Sequence, residues 1–525
     1  MLPAHPDRGG RSTAVQFALR PCSGVGSKPL SRTDRTRGKV RDMRNAKTTT
    51  IGEATLADLR ASVRGDVVTP HDVEYQVARR VWNGAIDRHP AVIAHCTGTA
   101  DVLSTLEFAR SEGLPIAVRG GGHNVAGFGT CDNGLVLDLS PMKGIRVDAA
   151  AGTVRAQGGV LWGELDRETQ AFGYATTGGL VSTTGVAGFT LGGGIGWLMR
   201  RHGLAVDNLR SADVVTADGA LVTASIESDP ELLWGLRGGG GNFGVVTSLE
   251  FALHPVGPLV VGGAVFHPAE SAGELLRFYA DWTRTLSDEL TTMVVFLTAP
   301  PEPFIPADRQ GTPLVAVAVC HTGDTSDAFQ ALRPLRGFGK PVADVIGPMP
   351  YVSLQAMFDH SAPRGMRTYW KTAYLEDLDE AGIDELVAQA AGLRDLFPLS
   401  AVHLHHMEGA LTREPQGGAA FGHRDHRFVL NLIGMWSEDD EDDRHVGWVR
   451  GAWDAMQRHT TGAPYLNFLG DEGRDRVRDA YGPRAYERLV QVKRRYDPDN
   501  VFRINQNINP EDMNGRLSPS PEKEV

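Results

Sequence analysis

Three glycine-dense stretches constrain this chain more than any other feature: AVRGGGHNVAGFG (117–129), TTGGLVSTTGVAGFTLGGGIGW (176–197) and RGGGGNFGVVTS (237–248). Glycine weakens the interior of a helix or strand but adopts backbone conformations closed to other residues, so such runs belong in loops. In RGGGHN the strand PIAV is expected to end at Arg119. Gly120, Gly121 and Gly122 then permit a tight turn whose N–H groups converge on an anion with no Cβ in the way. The hexapeptide reads as a pyrophosphate cradle; taken alone it reads equally as a glycine-rich turn beside an exposed histidine. The second stretch carries hydroxyls and small residues with scarcely a charge, a composition unusual for a solvent loop, and is expected to line something bound. The third ends in a strand where Val245 and Val246 offer main-chain groups to a ring edge. Glycine gathered at strand–loop–helix junctions points to cofactor phosphates held by main-chain N–H groups. No GxGxxG follows a first strand with an acidic residue about 20 positions on, so a dinucleotide would be held by a fold other than the Rossmann type.

Around these loops, residues 91–255 alternate helix and strand. DVLSTLEFARSEG and LWGELDRETQAFGY have helical spacing, as does TLADLRASV upstream, while GLVLDLS, IRVDAAAGTVRAQGG, SADVVTADGALVTAS and GVVTSLEFALHPV are short β-branched runs. After Pro258 the strand-like LVVGGAVF, TTMVVFLTA, PLVAVAVCH, AVHLHHMEGAL and RFVLNLIGMW are separated by helical AGELLRFYADWTRTL, TSDAFQALRPLRG and AGIDELVAQAAGLRDLF. That set suits an antiparallel sheet with helices on one face, forming a second domain. The stretch from Tyr465 to Ile508 reads as a helical hairpin ending in a Pro/Asp/Asn turn. The fold class is α+β.

Length and charge narrow the function. At 525 residues the chain exceeds one hydrophobic core. A net charge of −11, from 53 Lys+Arg against 64 Asp+Glu, opposes nucleic-acid binding. No apolar run of roughly 18 residues is present to span a bilayer. Cys22, Cys96, Cys131 and Cys320 lie far apart, so neither a zinc knuckle nor a disulfide framework is expected. Residues 1–45 are rich in Arg, Ser and Gly and lack the apolar core of a secretory signal. They read as a disordered basic extension, or as sequence upstream of a start at Met43, and a cytoplasmic location is expected.

The order RGGGHN, GLVLDLS, QGGVLWGEL, STTGVAGFTLGGGIGW, GLAVDNL, DVVTADG, LLWGLRGGGGNFGVVT and YLNF…YDPDNVFRINQNI resembles the berberine-bridge-enzyme-like FAD-linked oxidases of the vanillyl-alcohol-oxidase, or PCMH-type, superfamily. The likeness runs from about Leu56 to Pro510. It implies a PCMH-type two-subdomain FAD-binding domain, built from residues 46–257 and completed by 463–510, with an antiparallel-sheet substrate domain covered by helices at 258–462 and a tail at 511–525. It implies that His123 bonds covalently to the flavin 8α-methyl. The cofactor would be contacted by Arg119, Gly120, Gly121, Gly122, Asn124 and Gly127, and by Thr183, Thr184, Gly185, Gly188, Gly192 and Gly193 of the second loop. Val245, Val246, Asn467, Asn505 and Asn507 complete that set. Bicovalent members carry a CPTVGVGGH motif that aligns with VSTTGVAGF, which puts Val181 at the cysteine and Phe189 at the histidine; a single flavin bond is therefore implied. Thr184 falls where the family's valine admits O2.

Hydride transfer from a small-molecule alcohol, amine or phenolic-type substrate usually needs a base for the accompanying O–H or N–H proton. The YxNY-type motif of related members implies Tyr465 as that residue, with Tyr374 second. The glutamate of plant-type members falls on Arg413 and is absent. His403 and His405 share one strand face, and with no third ligand they read as polar groups lining the substrate pocket or facing solvent rather than a metal site. The resemblance implies oxidation by O2 giving H2O2. A dehydrogenase with another acceptor and a catalytically silent flavin-fold binding protein are the alternatives.

Overall fold

The computed structural model describes residues 51–512, all within one compact unit. The expectations for residues 1–45 and for most of the tail from 511 lie outside the described residues.

The strand-forming runs of residues 91–255 build two separate sheets. The first takes the order Val67–Val68, Val92–His95, Leu135–Asp138, Ile116–Arg119, parallel except for its first pair. Parallel strands need a crossover: helix Thr99–Ser111 leads from Val92–His95 to Ile116–Arg119, burying Val102, Leu106 and Ala109 with Ile116 and Leu135, and the glycine loop leads from Ile116–Arg119 back to the central strand Leu135–Asp138. Leu135–Asp138 is buried along its whole length, as a strand covered on both faces must be. Arg119 ends a strand of this sheet, so the glycine turn emerges at the carboxyl edge, where open parallel sheets bind ligands.

The second sheet is antiparallel, in the order Ile145–Asp148, Thr153–Gln157, Val245–Ala252, Leu209–Val215, Leu221–Ser225. Register slips between Val246 and Ser248, a bulge that disturbs the ladder beside the glycines. Under this sheet lie helices Trp162–Gln170, Pro230–Leu236 and Pro483–Tyr496, the last contributing Leu489 and Val492 to the shared core. The C-terminal segment is thus packed into the N-terminal half. Lys493, fully buried, fixes it there: its Nζ donates to Asp497 at 2.7 Å, to the Asn242 carbonyl at 2.9 Å and to the Phe502 carbonyl at 2.9 Å.

Residues beyond 258 form a large antiparallel sheet in the order Ala343–Asp344, Leu259–Pro268, Pro313–His321, Leu290–Thr298, Ala401–His406, Phe428–Trp436, Arg367–Leu375. Helices Ala272–Thr283, Thr325–Arg336, Glu380–Ala390 and Asp442–Met456 cover one face, burying Val402, Leu404, Leu430 and Leu432 beneath them. Strand alternation turns His403, His405, Asn431, Ile433 and Met435 to the other face. The cover is less one-sided than the sequence pattern predicts: the short helix Tyr351–Gln355 packs against Val260, Ala264 and Phe266 on the opposite side. Among the described residues no helix is long and apolar enough to cross a membrane.

Candidate active site

The RGGGHN turn is held from behind by charge. Arg119 Nη2 donates to Asp138 Oδ2 at 2.7 Å, and His95 Nδ1 lies 3.1 Å from the same oxygen. Burial alone would raise the Asp138 carboxyl, but its bonds to His95 and Arg119 and the Arg119 charge hold it well below the usual carboxylate range. In front, the backbone N–H groups of Gly121, Gly122 and His123 donate to no acceptor among the described residues. A Cβ on Gly121 would stand 2.5 Å from the Gly185 nitrogen, and one on Gly185 would stand 2.5 Å from the Gly121 nitrogen. The first and second glycine loops therefore touch main chain to main chain.

His123 stacks on Trp82, with ring centroids 4.3 Å apart and planes 17° apart, while the Trp82 N–H donates to the Gly122 carbonyl at 2.9 Å. Its Nε2 is buried without a partner, and burial pushes the imidazole down to about 4, so the ring is neutral at pH 7.

The second loop meets the C-terminal segment at Gly192, where a Cβ would fall 2.0 Å from Asn467 Oδ1. Asn467 Nδ2 donates to the Phe189 carbonyl and to the Tyr465 hydroxyl oxygen, both at 2.9 Å. That oxygen also accepts the N–H groups of Gly194 at 2.9 Å and Ile195 at 3.2 Å. Asn505 donates to the carbonyls of Gly241 and Phe502 at 3.1 Å each and leaves its Oδ1 buried and unpartnered.

These loops and the sheet face that carries His403, His405 and Asn431 enclose a cavity of about 340 Å³. It brings together Arg119, Gly120, Gly121, Gly122, His123, Asn124, Thr184, Gly185, Gly188, Gly192, Val246, Asn467 and Asn505. Other predicted residues stand off its lining. Gly127, at φ +76°, packs against Ile86, and Gly193 faces Phe421 and Tyr465. Thr183 is exposed, Val245 is buried in the core beside the first sheet, and Asn507 does not reach the cavity.

Both tyrosines predicted as proton acceptors are enclosed and neither lines the cavity. Burial pushes the Tyr465 phenol up to about 12 despite its three donors, and raises that of Tyr374, which stacks on His423 at 5.1 Å. Glu408 is held by His406 Nε2 at 2.6 Å and by Arg427, away from the cavity; Arg413 is exposed beside Asp288.

His403 and His405 do line the cavity, as the alternation of AVHLHH predicts. The sequence reading missed Trp82, Trp370, Phe468, Asn431, Ile433 and Met435. The same alternation in RFVLNLIGMW carried the last three, whereas nothing in the sequence near Trp82 marks its stacking partner. Cys96, Cys131 and Cys320 are free and buried, and burial pushes the first two thiols up to about 12.

The donor set fits FAD: free N–H groups for phosphates, an apolar slot for a planar ring, and a neutral histidine with an unpartnered nitrogen. Comparisons with known proteins agree. A family model described as "FAD binding domain" matches residues 90–225, and one described as "Berberine and berberine like" matches residues 464–509. The chain is 34% identical over 462 residues to (R)-6-hydroxynicotine oxidase of Paenarthrobacter nicotinovorans, covering 86% of this chain and 98% of that protein. An FAD-linked oxidoreductase of Dictyostelium discoideum is 32% identical, with coverage of 86% and 95%. The crystal structure of 6-hydroxy-D-nicotine oxidase from Arthrobacter nicotinovorans superposes with a TM-score of 0.78 at 30% identity, covering 86% of this chain and 99% of that one. A xylooligosaccharide oxidase from Myceliophthora thermophila C1 shares the fold, with a TM-score of 0.77 at 22% identity over 88% of this chain and 100% of that one. The chain is an FAD-dependent oxidoreductase and belongs to the berberine-bridge-like FAD-linked oxidases.

Proposed function

We propose that this enzyme oxidises a small molecule by hydride transfer to an FAD tethered through His123, with O2 as the final acceptor and H2O2 as the second product. The observation that carries the reading is His123 itself, which closes a run of free main-chain N–H groups, is neutral, stacks on Trp82 and keeps Nε2 without a partner. FAD, when bound, supplies a two-electron acceptor for hydride and a donor to O2. The remaining work falls to the chain. Gly121, Gly122 and His123 hold the phosphates through N–H groups, and Trp82 orients the imidazole. Asn467, held through Nδ2 by the Phe189 carbonyl and Tyr465, lines the cavity and would help to hold the cofactor there. Tyr465 is then a positioning residue, since its oxygen already serves three donors. The apolar walls exclude water, and Thr184, no bulkier than valine, leaves room for O2. We assign FAD binding to residues 46–257 with 463–510, and substrate binding to 258–462.

The test is a denaturing gel viewed under ultraviolet light, with mass spectrometry of the His123 peptide. Fluorescence that survives denaturation, flavin mass on His123 and its loss in His123→Ala are expected. Free release of the flavin overturns the tether. Reoxidation by air that is slow beside turnover overturns the oxidase reading in favour of a dehydrogenase.

A further inference from the structure

The cavity is nearly devoid of ionisable groups. Among the residues lining it only Arg119, His123, His403 and His405 carry one; no Asp, Glu, Lys, Tyr or Cys does. Arg119 is bound to Asp138 through Nη2, with Nη1 buried and unpartnered, and it and His123 both belong to the glycine wall. On the facing wall this leaves His403 and His405, consecutive cavity-facing positions of strand Ala401–His406, with ring centroids 5.8 Å apart and planes at 73°. His405 stands 5.7 Å from Phe468, the neighbour of Asn467, and its Nε2 is buried with no partner among the described residues. His403 is half-buried, and Asn431, its cross-strand partner, also leaves Oδ1 buried and unpartnered. Buried polar atoms without partners cost stability unless something meets them, and here the cavity is where a ligand would do so.

We propose that the His403–His405 pair accepts the substrate proton, and that the substrate is an uncharged, hydroxyl-bearing molecule with an apolar or aromatic body. The proposal rests on the flavin-oxidase reading of the cavity. In the step, the carbinol C–H bond breaks and its hydride passes with both electrons to the oxidised flavin. The O–H proton moves to an imidazole nitrogen, and the C–O bond becomes C=O. O2 then takes the two electrons and leaves as H2O2, carrying the hydride's proton and the one returned by the imidazolium.

The chemistry of the wall selects this substrate. An ammonium group would be desolvated against Trp370, Ile433 and Met435 with no carboxylate to pair it, and a carboxylate would find no lysine. A hydroxyl suits the wall, because its O–H can donate to the unpartnered His405 Nε2 or the unpartnered Asn431 Oδ1. Burial keeps both imidazoles unprotonated at neutral pH: it pushes His403 down to about 4 and lowers His405 well below the ordinary imidazole value, the proximity of His403 adding to the effect on His405. A weak base suffices, because a carbinol losing hydride makes its O–H strongly acidic. The Tyr465 phenol packs edge-on against Phe468 outside the cavity lining, and burial pushes it up to about 12.

The test uses the purified holoenzyme, a matched panel of aromatic secondary alcohols and the corresponding primary amines, and anaerobic bleaching of the flavin absorbance. Alcohols are expected to bleach it and amines not. The wild-type rate should be flat from pH 6 to 9 and fall away near pH 4. The His403→Asn/His405→Asn double variant should bleach at least about a hundredfold more slowly, with unchanged flavin content and a smaller loss of melting temperature between pH 7 and 5 than the wild type. If the double variant does not retain flavin, the single variants carry the same readouts. Amines bleaching in place of alcohols, no member of the panel bleaching, a variant rate within threefold of wild type, or a wild-type rate still rising tenfold per pH unit towards pH 10, as a Tyr465 phenolate would give, each overturn this proposal alone. A wild-type protein that holds no flavin overturns the flavin-site reading first, and this proposal with it.

Discussion

The two walls of the cavity are built from different materials. One is glycine main chain: Gly121 lies on the backbone of Gly185, Gly192 lies against the Asn467 side chain, and a single methyl group at any of these glycines would meet an atom within 2.5 Å. The other is side chain: His403, His405, Asn431, Ile433 and Met435 project at alternate positions from strands whose backbone is satisfied by its own ladder. A backbone wall cannot be altered without moving a loop, so it suits a cofactor. A side-chain wall can be rewritten one residue at a time over an unmoved sheet, so it suits the substrate, and function lives in that layer rather than in the fold.

Substitutions should divide the same way. Gly121→Ala is expected to have the largest effect, since its Cβ would press on the backbone nitrogen of Gly185 and the loops must part. Flavin per protein, read from the absorbance ratio, should fall below about a tenth of wild type; full retention would break the comparison. Acid comes next, and it acts through the sheet wall. Burial pushes His403 down to about 4 in the folded state, as it does His406 behind the sheet, against 6.5 when unfolded. Between those values the unfolded chain binds more protons. Stability is therefore full above pH 6.5 and is lost as pH falls towards 4, by up to about 3 kcal/mol for each imidazole. Urea unfolding at pH 7 and 5 measures it, and equal midpoints would show that these rings are solvated.

Lys493→Met tests the anchor of the cofactor side. It strands Asp497 fully buried and unpaired, at a cost of about 3–5 kcal/mol, again read by urea unfolding; a loss under about 1 kcal/mol would mean that other contacts hold the segment. The smallest effect is expected for Asn431→Leu, which removes a buried, unpartnered oxygen from the sheet wall. Flavin content should be unchanged and stability within about 1 kcal/mol of wild type, while KM for the substrate rises. Loss of flavin from this variant would show the two walls to be one unit.

The backbone wall was legible in the sequence because sterics write it as glycine: RGGGHN and LGGGIGW declare themselves without a fold. The helices and strands beyond residue 258 were legible from their periodicity, and with them the shared face of His403 and His405. What stayed hidden depends on long-range meetings. Tyr465 reads as a reactive phenol until its oxygen is found among the N–H groups of Gly194 and Ile195, some 270 residues away in sequence. Gly127 lies in the same glycine loop as Gly121, yet its positive φ serves packing against Ile86. The Trp82 ring announces nothing until His123 lies on it.

The cavity also draws on both ends of the described chain: Trp82 and the first glycine loop at one end, and Leu466, Asn467, Phe502 and Asn505 at the other. The C-terminal helix that brings Leu489 and Val492 into the core of the second sheet belongs to the same segment as that far lining. A chain cut short before residue 465 would therefore lack both part of that core and one side of the pocket, so the pocket and the core of the N-terminal half are completed by the same stretch of sequence.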